Sequence, residues 1–539
     1  MRIEPIKLKQ QNKLIEDYRN NEPSIQPFFD YPAFGEWEHR YHDLQKRTFK
    51  RQELCDCLQM INSQWKAPEA TRKNIDRLRH PEAVTVIGGQ QASLLSGPLY
   101  TINKIISIIH LAKQQEEELR VPVIPIFWIA GEDHDFAEVN HVYLQEEQQM
   151  QKYVLKQQVR SKTALSDIRI DHDKAKQWLD ELFEKLTETN HTKTLYDDMN
   201  KCLASSLTYV DFFAKLIYHF FPEEGLVLMD SGDKSIRQLE SDFFVEMIEN
   251  QPKISESVCD SLEQLQSLGY TIDLSVAPSD GHLFYYQDDE RILLQRTDTG
   301  EWIGKQNEVH FTTEQLKQIA KLTPAQLSNN VVTRPLMQEM LFPNLAFIAG
   351  PGEIGYWSAL KSAFHQLQMK MPPVVPRLSI SVIDRTIEKA LHDCQMSAEQ
   401  VINGMVADEK EAWLANTSYP SIKQIAQEVQ EQIIDVHAPL RELAASMRDD
   451  LGAIAEKNLN YIQDHIQYLE KRLVKAWQCK HQNDLAKFDI LQCVLHPENG
   501  LQERIWNPLP WLNRYGISFA SNLLRHSYTF RNSHYAVYL

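Results

Sequence analysis

The apolar positions fall into three patterns along the chain, and each predicts a different kind of element. Four short stretches are apolar almost without interruption: residues 83–88 (AVTVIG), 121–130 (VPVIPIFWIA), 225–233 (GLVLMDSGD) and 344–353 (NLAFIAGPGE). Runs of this length, ended by glycine or acidic residues, predict strands buried on both faces, as in a parallel sheet. The first leads through GQQASLLSGP into a helix, YTINKIISIIHLAKQQ, and the second strand follows. That order predicts a parallel, right-handed βαβ unit.

Between the strands the pattern is more polar. Insertions are expected near residues 146–224 and 252–325, the second carrying a helix and then a hairpin, HLFYYQDDERILLQR, turning at Asp288-Asp289-Glu290. The first eighty or so residues read as an arm packed on the core, with the aromatic stretch PFFDYPAFGEW at 27–37.

The third pattern steps by three and four. Ile422, Ile425, Val429, Ile433, Val436, Leu440, Leu443, Met447, Leu451 and Ile454 form a stripe. After a slip at residues 452–458 it resumes at Ile462, Ile466, Leu469, Leu473 and Trp477. So narrow a seam predicts coiled-coil packing, with Pro439 starting a new helix or kinking this one. An amphipathic helix lying on the core is the plainer alternative. The length of the run favours a protruding arm that makes a homodimer. The chain thus divides into an α/β core (1–383), a helical arm (384–480) and a C-terminal segment that packs back on the core (481–539).

Composition narrows the function. The 539 residues are 42% apolar and 24% charged, ordinary values for a globular chain of two or three units. A formal charge of −17 argues against nucleic acid or an anionic membrane as main partner, while leaving room for a local basic pocket. Seven scattered cysteines without a C-x-x-C pair indicate neither a disulfide framework nor structural zinc, and no metal is expected. With no leader-like N-terminus and no membrane-length apolar run, a cytoplasmic location is expected.

Ligands of open parallel sheets bind beyond the carboxyl ends of the strands, where three polar clusters fall in this chain. The first contains Gly89, Gln90 and Gln91, then Gly97, Tyr100, Asn103 and Lys104. Gly97 and Pro98 suit a helix N-terminus able to meet a phosphate, although neither phosphate-loop spacing is spelled. Two glycines before a helix are more often plain turns.

The second cluster, Glu132, Asp133, His134 and Asp135 with Asn140 and His141, puts several ionisable groups at the end of a buried strand. Were it helical, His134, Glu138 and His141 would share one face. Acid–base work or substrate binding is expected there ahead of metal binding; either histidine alone is more readily structural, but not the whole cluster. The third cluster is Gly350, Gly352 and Glu353 with Tyr356, Trp357 and Lys361, preceded by Arg334 and followed by Arg377. Glycines permit close backbone approach, and the cations would meet developing negative charge. Trp357 could equally be a core aromatic.

Taken together, the strings GGQQASLLSGPLYTINKI, FWIAGEDHDFAEVNH, TRPLMQEMLFPNLAFIAGPGEIGYWSALK and PRLSIS resemble the cysteine-adding enzymes of bacillithiol biosynthesis in Gram-positive bacteria. The resemblance spans essentially the whole chain. It implies a Rossmann-like core of nucleotidyltransferase type with connecting-peptide insertions and a dimerising coiled coil. It also implies a ligase that joins L-cysteine to glucosaminyl-malate, with ATP, an adenine nucleotide, activating the carboxylate. The class I synthetase signatures H-I-G-H and K-M-S-K-S are not spelled; SGPLYTIN and PRLSIS stand in their places. On this reading Asp133, His134, Asp135, His141 and Glu353 are candidate catalytic groups. Gly89, Gln90, Gln91, Gly97, Tyr100, Asn103, Lys104, Asn140, Arg334, Gly350, Gly352, Tyr356, Trp357, Lys361 and Arg377 are candidate binding groups. The competing expectations are another ligase or nucleotidyltransferase on the same scaffold, and a non-catalytic coiled-coil scaffold.

Overall fold

In the computed structural model, which describes residues 2–9, 12–159, 162–288, 290–417 and 421–539, five strands form an all-parallel sheet. They are β1 (Val84–Gln90), β2 (Val123–Ile129), β3 (Val227–Asp230), β4 (Asn344–Ala349) and β5 (Val374–Pro376). Their spatial order is β5-β4-β1-β2-β3, every neighbouring pair parallel. All seven residues of β2 and all six of β4 are buried, which explains their unbroken apolar runs. Helix α1 (Leu99–Leu119) packs on β1 and β2. The chain moves outward from β1 to β2 to β3, then returns to the other side of β1 for β4 and β5. That reversal opens a crevice between the carboxyl ends of β1 and β4. The expected α/β, Rossmann-like parallel core is therefore present.

Between β2 and β3 the described residues make one helical turn (Phe136–Val139), a hairpin (His141–Glu146 with Gln149–Val154) and three longer helices. Between β3 and β4 it makes the long helix Ser241–Ser267 and a five-stranded antiparallel sheet. The hairpin read from sequence, Asp280–Gln287 with Glu290–Arg296, lies inside that sheet, and Asp289 of its turn lies outside the described residues. The sheet extends to Leu327–Asn329, so this unit is larger than one hairpin. A third sheet joins distant parts of the chain: strand His534–Tyr538 lies between Arg2–Ile6, antiparallel, and Ile380–Ile383, parallel.

The helical arm differs from its sequence reading in three respects. It is a hairpin of two helices, α3 (Ile422–Met447) and α4 (Asp449–Lys480), joined where Arg448 turns extended. The chain reverses at Arg448, ahead of the slip read at residues 452–458, which lies within α4, so the stripe is divided between two helices. Pro439 lies inside α3, so of the two expectations it does not start a new helix. Residues 385–417, read as part of the arm, instead form short helices that pack on Gln482–Leu495. At the tip a Cβ on Gly452 would stand 3.2 Å from the Cα and Cβ of Ala445, so glycine lets the helices approach closely. Arg441 pairs with Glu456 across the hairpin, and His437 meets Asn458.

Candidate functional site

The crevice at the reversal between β1 and β4 is a cleft of about 370 Å³. Its floor is built around Lys104, which α1 projects toward the end of β1 with only 1% of its surface exposed. The ammonium donates to Gly89 O (2.7 Å), Gln90 Oε1 (3.2 Å) and Glu353 Oε2 (2.5 Å). An ammonium has three hydrogens, so Lys104 has none left for a ligand. Burial pushes its pKa down while Glu353 opposes that shift. Gly89 lies so close to β2 that a Cβ there would sit 2.5 Å from Trp128 O, which requires glycine.

Helix α2 (Pro351–Trp357) begins beyond β4. Glu353 in its first turn accepts from the Gly350 N–H at 2.6 Å as well as from Lys104. At the start of α1 the Leu99 N–H donates to Trp506 O at 2.8 Å, and the Gly97 N–H to Leu94 O. These N–H groups, expected from sequence to cradle phosphate, are already bound to acceptors of the protein.

Three arginines line the cleft: Arg334, Arg377 and Arg504. Arg334 donates to Tyr356 Oη at 3.5 Å and makes no ion pair among the described residues. Arg377 lies over the Tyr100 ring, 5.8 Å from its centroid, and pairs with Glu503 through both terminal nitrogens at 2.7 Å each. Arg504 is exposed at the rim.

The same lining carries an acidic pair, Asp133 and Glu138. Gln91 Nε2 donates to Asp133 Oδ2 (2.8 Å) and to Glu138 Oε2 (3.0 Å), holding the two carboxylates side by side. Trp128 Nε1 and Gln338 Oε1 are buried without a hydrogen-bond partner among the described residues, and both residues line the cleft. A buried donor and acceptor left unpaired cost stability unless a ligand meets them.

Of the candidates read from sequence, Gly89, Gln90, Gln91, Tyr100, Lys104, Asp133, Arg334, Gly350, Gly352, Glu353, Tyr356 and Arg377 line this cleft. The others stand elsewhere. Asp135 is exposed and caps a single helical turn, Phe136–Val139, by accepting from Glu138 N. That turn ends at Asn140, and His141 starts a strand, so His134, Glu138 and His141 do not share a helical face.

His134 stands beside the cleft, not on its lining. Arg291 Nη1 donates to its Nδ1 at 3.4 Å, and burial together with Arg291 favours the neutral ring. Burial and Lys152 likewise lower the pKa of His141. Lys361 donates to Pro27 O (2.8 Å) and Phe29 O (3.1 Å), tethering the N-terminal arm. Trp357 is fully buried and stacked on Phe347 with centroids 4.4 Å apart, a core aromatic. Asn103 donates to Glu503 at 2.6 Å, and Gly97 is a turn with φ of 71° whose carbonyl accepts from Asn507. Glu132, in the same acidic run as Asp133, is buried against Arg237.

Sequence reading missed Arg504, which lines the cleft from the C-terminal segment, and Glu503, which is buried against Arg377. The available signal was the polar triplet Gln502-Glu503-Arg504 set between Leu501 and the apolar pair Ile505-Trp506.

Comparison with known proteins agrees with this architecture. Residues 1–378 match the model of the bacillithiol biosynthesis BshC N-terminal Rossmann-like domain. Residues 380–539 match that of the BshC C-terminal coiled-coil domain. A protein of Oceanobacillus iheyensis is 42% identical over the full length of both chains. Proteins of a Geobacillus species and of Bacillus licheniformis are each 40% identical, also over both full lengths. All three carry the name "Putative cysteine ligase BshC". With both domains matched and relatives of this identity aligned end to end, the chain belongs to the BshC family of bacillithiol biosynthesis.

Proposed function

We propose that the protein is a ligase that joins the carboxyl group of L-cysteine to the amino group of glucosaminyl-malate, forming bacillithiol. The observation that carries this reading is the presence on one cleft lining of an acidic pair bridged by Gln91, Asp133 and Glu138, together with three arginines. The acceptor carries the complementary groups, an amine on its sugar and two carboxylates on its malyl group. The arginines meet the carboxylates, and the acidic pair receives the ammonium groups of acceptor and cysteine.

Amide formation from a free carboxylate is uphill in water, so the carboxyl oxygen must leave on a better leaving group. ATP is the proposed source of that activation. The acceptor ammonium first gives up one proton, the free amine attacks the carbonyl carbon, the activated oxygen departs with its phosphate, and the nitrogen gives up a second proton. Asp133 and Glu138 are the proposed acceptors of these protons. The reaction belongs in the cytoplasm, where ATP and cysteine are at hand.

The arm is proposed to pair two copies. Val436 is 80% exposed and Leu443 58%, with Leu440, Met447 and Ile454 similarly bare. Apolar stripes of this extent on a projecting hairpin mark an interface.

The test is reconstitution of purified protein with cysteine, glucosaminyl-malate and ATP, following bacillithiol and the nucleotide product. Formation of bacillithiol with AMP or ADP is expected. Turnover undiminished without ATP would refute the nucleotide, and no amide product under any condition would refute the ligase reading. A deletion strain should accumulate glucosaminyl-malate and lack bacillithiol.

A further inference from the structure

We infer that Glu503 is a positioning residue for substrate recognition: from the C-terminal segment it fixes Arg377 so that one edge of its guanidinium faces the cleft as an anion receptor for the acceptor's malyl carboxylates. Both oxygens of Glu503 are fully engaged. Oε1 accepts from Arg377 Nη2 (2.7 Å) and Ser379 Oγ (2.9 Å), and Oε2 from Arg377 Nη1 (2.7 Å) and Asn103 Nδ2 (2.6 Å). Burial opposes ionisation, yet the charge and hydrogen bonds of Arg377 bring the Glu503 carboxyl down to about 2. The group is thus a permanent, immobile anion whose geometry is set from four directions.

Arg377 is held as firmly. Nη1 also donates to Leu378 O at 3.0 Å, and the guanidinium lies over the Tyr100 ring. Its Nε has no partner among the described residues and points toward Gly350, where an added Cβ would stand 3.6 Å away. The edge turned from Glu503 therefore faces the cleft with donors to spare, unlike Lys104, whose hydrogens are all taken. A planar fork clamped on one side and open on the other suits a carboxylate.

The element carrying Glu503, α5 (Gln502–Ile505), is itself fixed to the core. Gln502 Oε1 accepts from Val382 N (2.7 Å), and its Nε2 donates to Val382 O (3.0 Å). Arg504 then continues from Glu503 to the rim of the cleft. Three consecutive side chains thus dock the segment, orient a cation and line the site.

The inference rests on the proposed ligase reading, and the experiment separates the two. Glu503→Gln, Arg377→Gln and the double variant are compared for KM of each substrate, and for calorimetric binding of glucosaminyl-malate and of L-malate, which needs no turnover. Circular dichroism and melting confirm the fold. Glu503→Gln is expected to raise the acceptor's KM and Kd tenfold or more while leaving KM for cysteine within twofold. Because Glu503 acts through Arg377, the double variant should be no worse than Arg377→Gln alone. Should Glu503→Gln not fold, Glu503→Asp, which keeps the charge and draws the clamp back by one methylene, should show the same selective loss.

Equal loss for both substrates, unchanged acceptor affinity in a folded variant, or multiplying effects in the double variant would overturn the inference. So would wild-type protein that binds neither malyl compound. Acceptor binding that follows this pattern without amide formation would overturn only the ligase reading.

Discussion

Asp133 and Asp135 are two positions apart and stand in different surroundings. Asp133 lines the cleft under the amide of Gln91, whereas Asp135 caps one helical turn in solvent. Asp133→Asn should lower kcat by about 10²–10³-fold with little change in melting temperature. Asp135→Asn should keep activity within about twofold and cost about 1 kcal/mol or less, since asparagine also caps. Rates of bacillithiol formation beside melting curves decide both, and equal kinetic effects would refute the assignment of the acidic pair.

His282 gives a second residue-scale test. It is buried among Ser255, Asn330 and Thr333, and burial pushes its imidazole down to about 4. The folded protein keeps the ring neutral, while the unfolded chain protonates it near the ordinary value of about 6.5. The stabilisation is therefore whole above that value and fades as pH falls toward 4, with about 2 kcal/mol lost by pH 5. Replacing His282 with glutamine should flatten the fall in melting temperature between pH 7 and 5 relative to wild type. An identical slope would refute this.

At the scale of elements, the strands were legible because each is buried on both faces, which leaves no polar alternation to mislead. The segment 132–141 was not. Its i, i+4, i+7 spacing of His134, Glu138 and His141 has meaning only within a helix, and Asp135 and Asn140 bound one too short to express it. Much of the cleft could be read because β1, β4 and their following loops are local in sequence. Glu503 could not, since its partner Arg377 lies 126 residues away and no periodicity joins them. The docking of α5 can be tested on its own. Gln502→Ala leaves the N–H and C=O of Val382 buried without partners, at a cost of about 2–4 kcal/mol. It should also weaken acceptor binding by loosening Glu503 and Arg504. Calorimetry and melting on the same samples should show both losses together.

For the whole molecule, the arm is the feature whose sequence reading changed most. The apolar stripe was visible, but a stripe does not state which helix will cover it. In the fold α3 and α4 cover each other only in part, and α3 buries none of its residues. Leu440→Asp with Leu443→Asp should convert a dimer into a monomer in light scattering, leaving the melting of the core unchanged. A mass already monomeric in wild type would refute pairing through this face. Among the described residues no helix is long and apolar enough to cross a membrane.

The small sheet that places His534–Tyr538 between Arg2–Ile6 and Ile380–Ile383 also governs when the protein can finish folding. During synthesis the first strand waits at the ribosome with its edge unpaired until the chain has been made as far as Tyr538. The Rossmann-like strands can assemble earlier, but Arg504 joins the cleft lining and Glu503 meets Arg377 only once the chain has passed residue 504. A chain made only as far as residue 501 would therefore hold the parallel core with Arg377 unclamped.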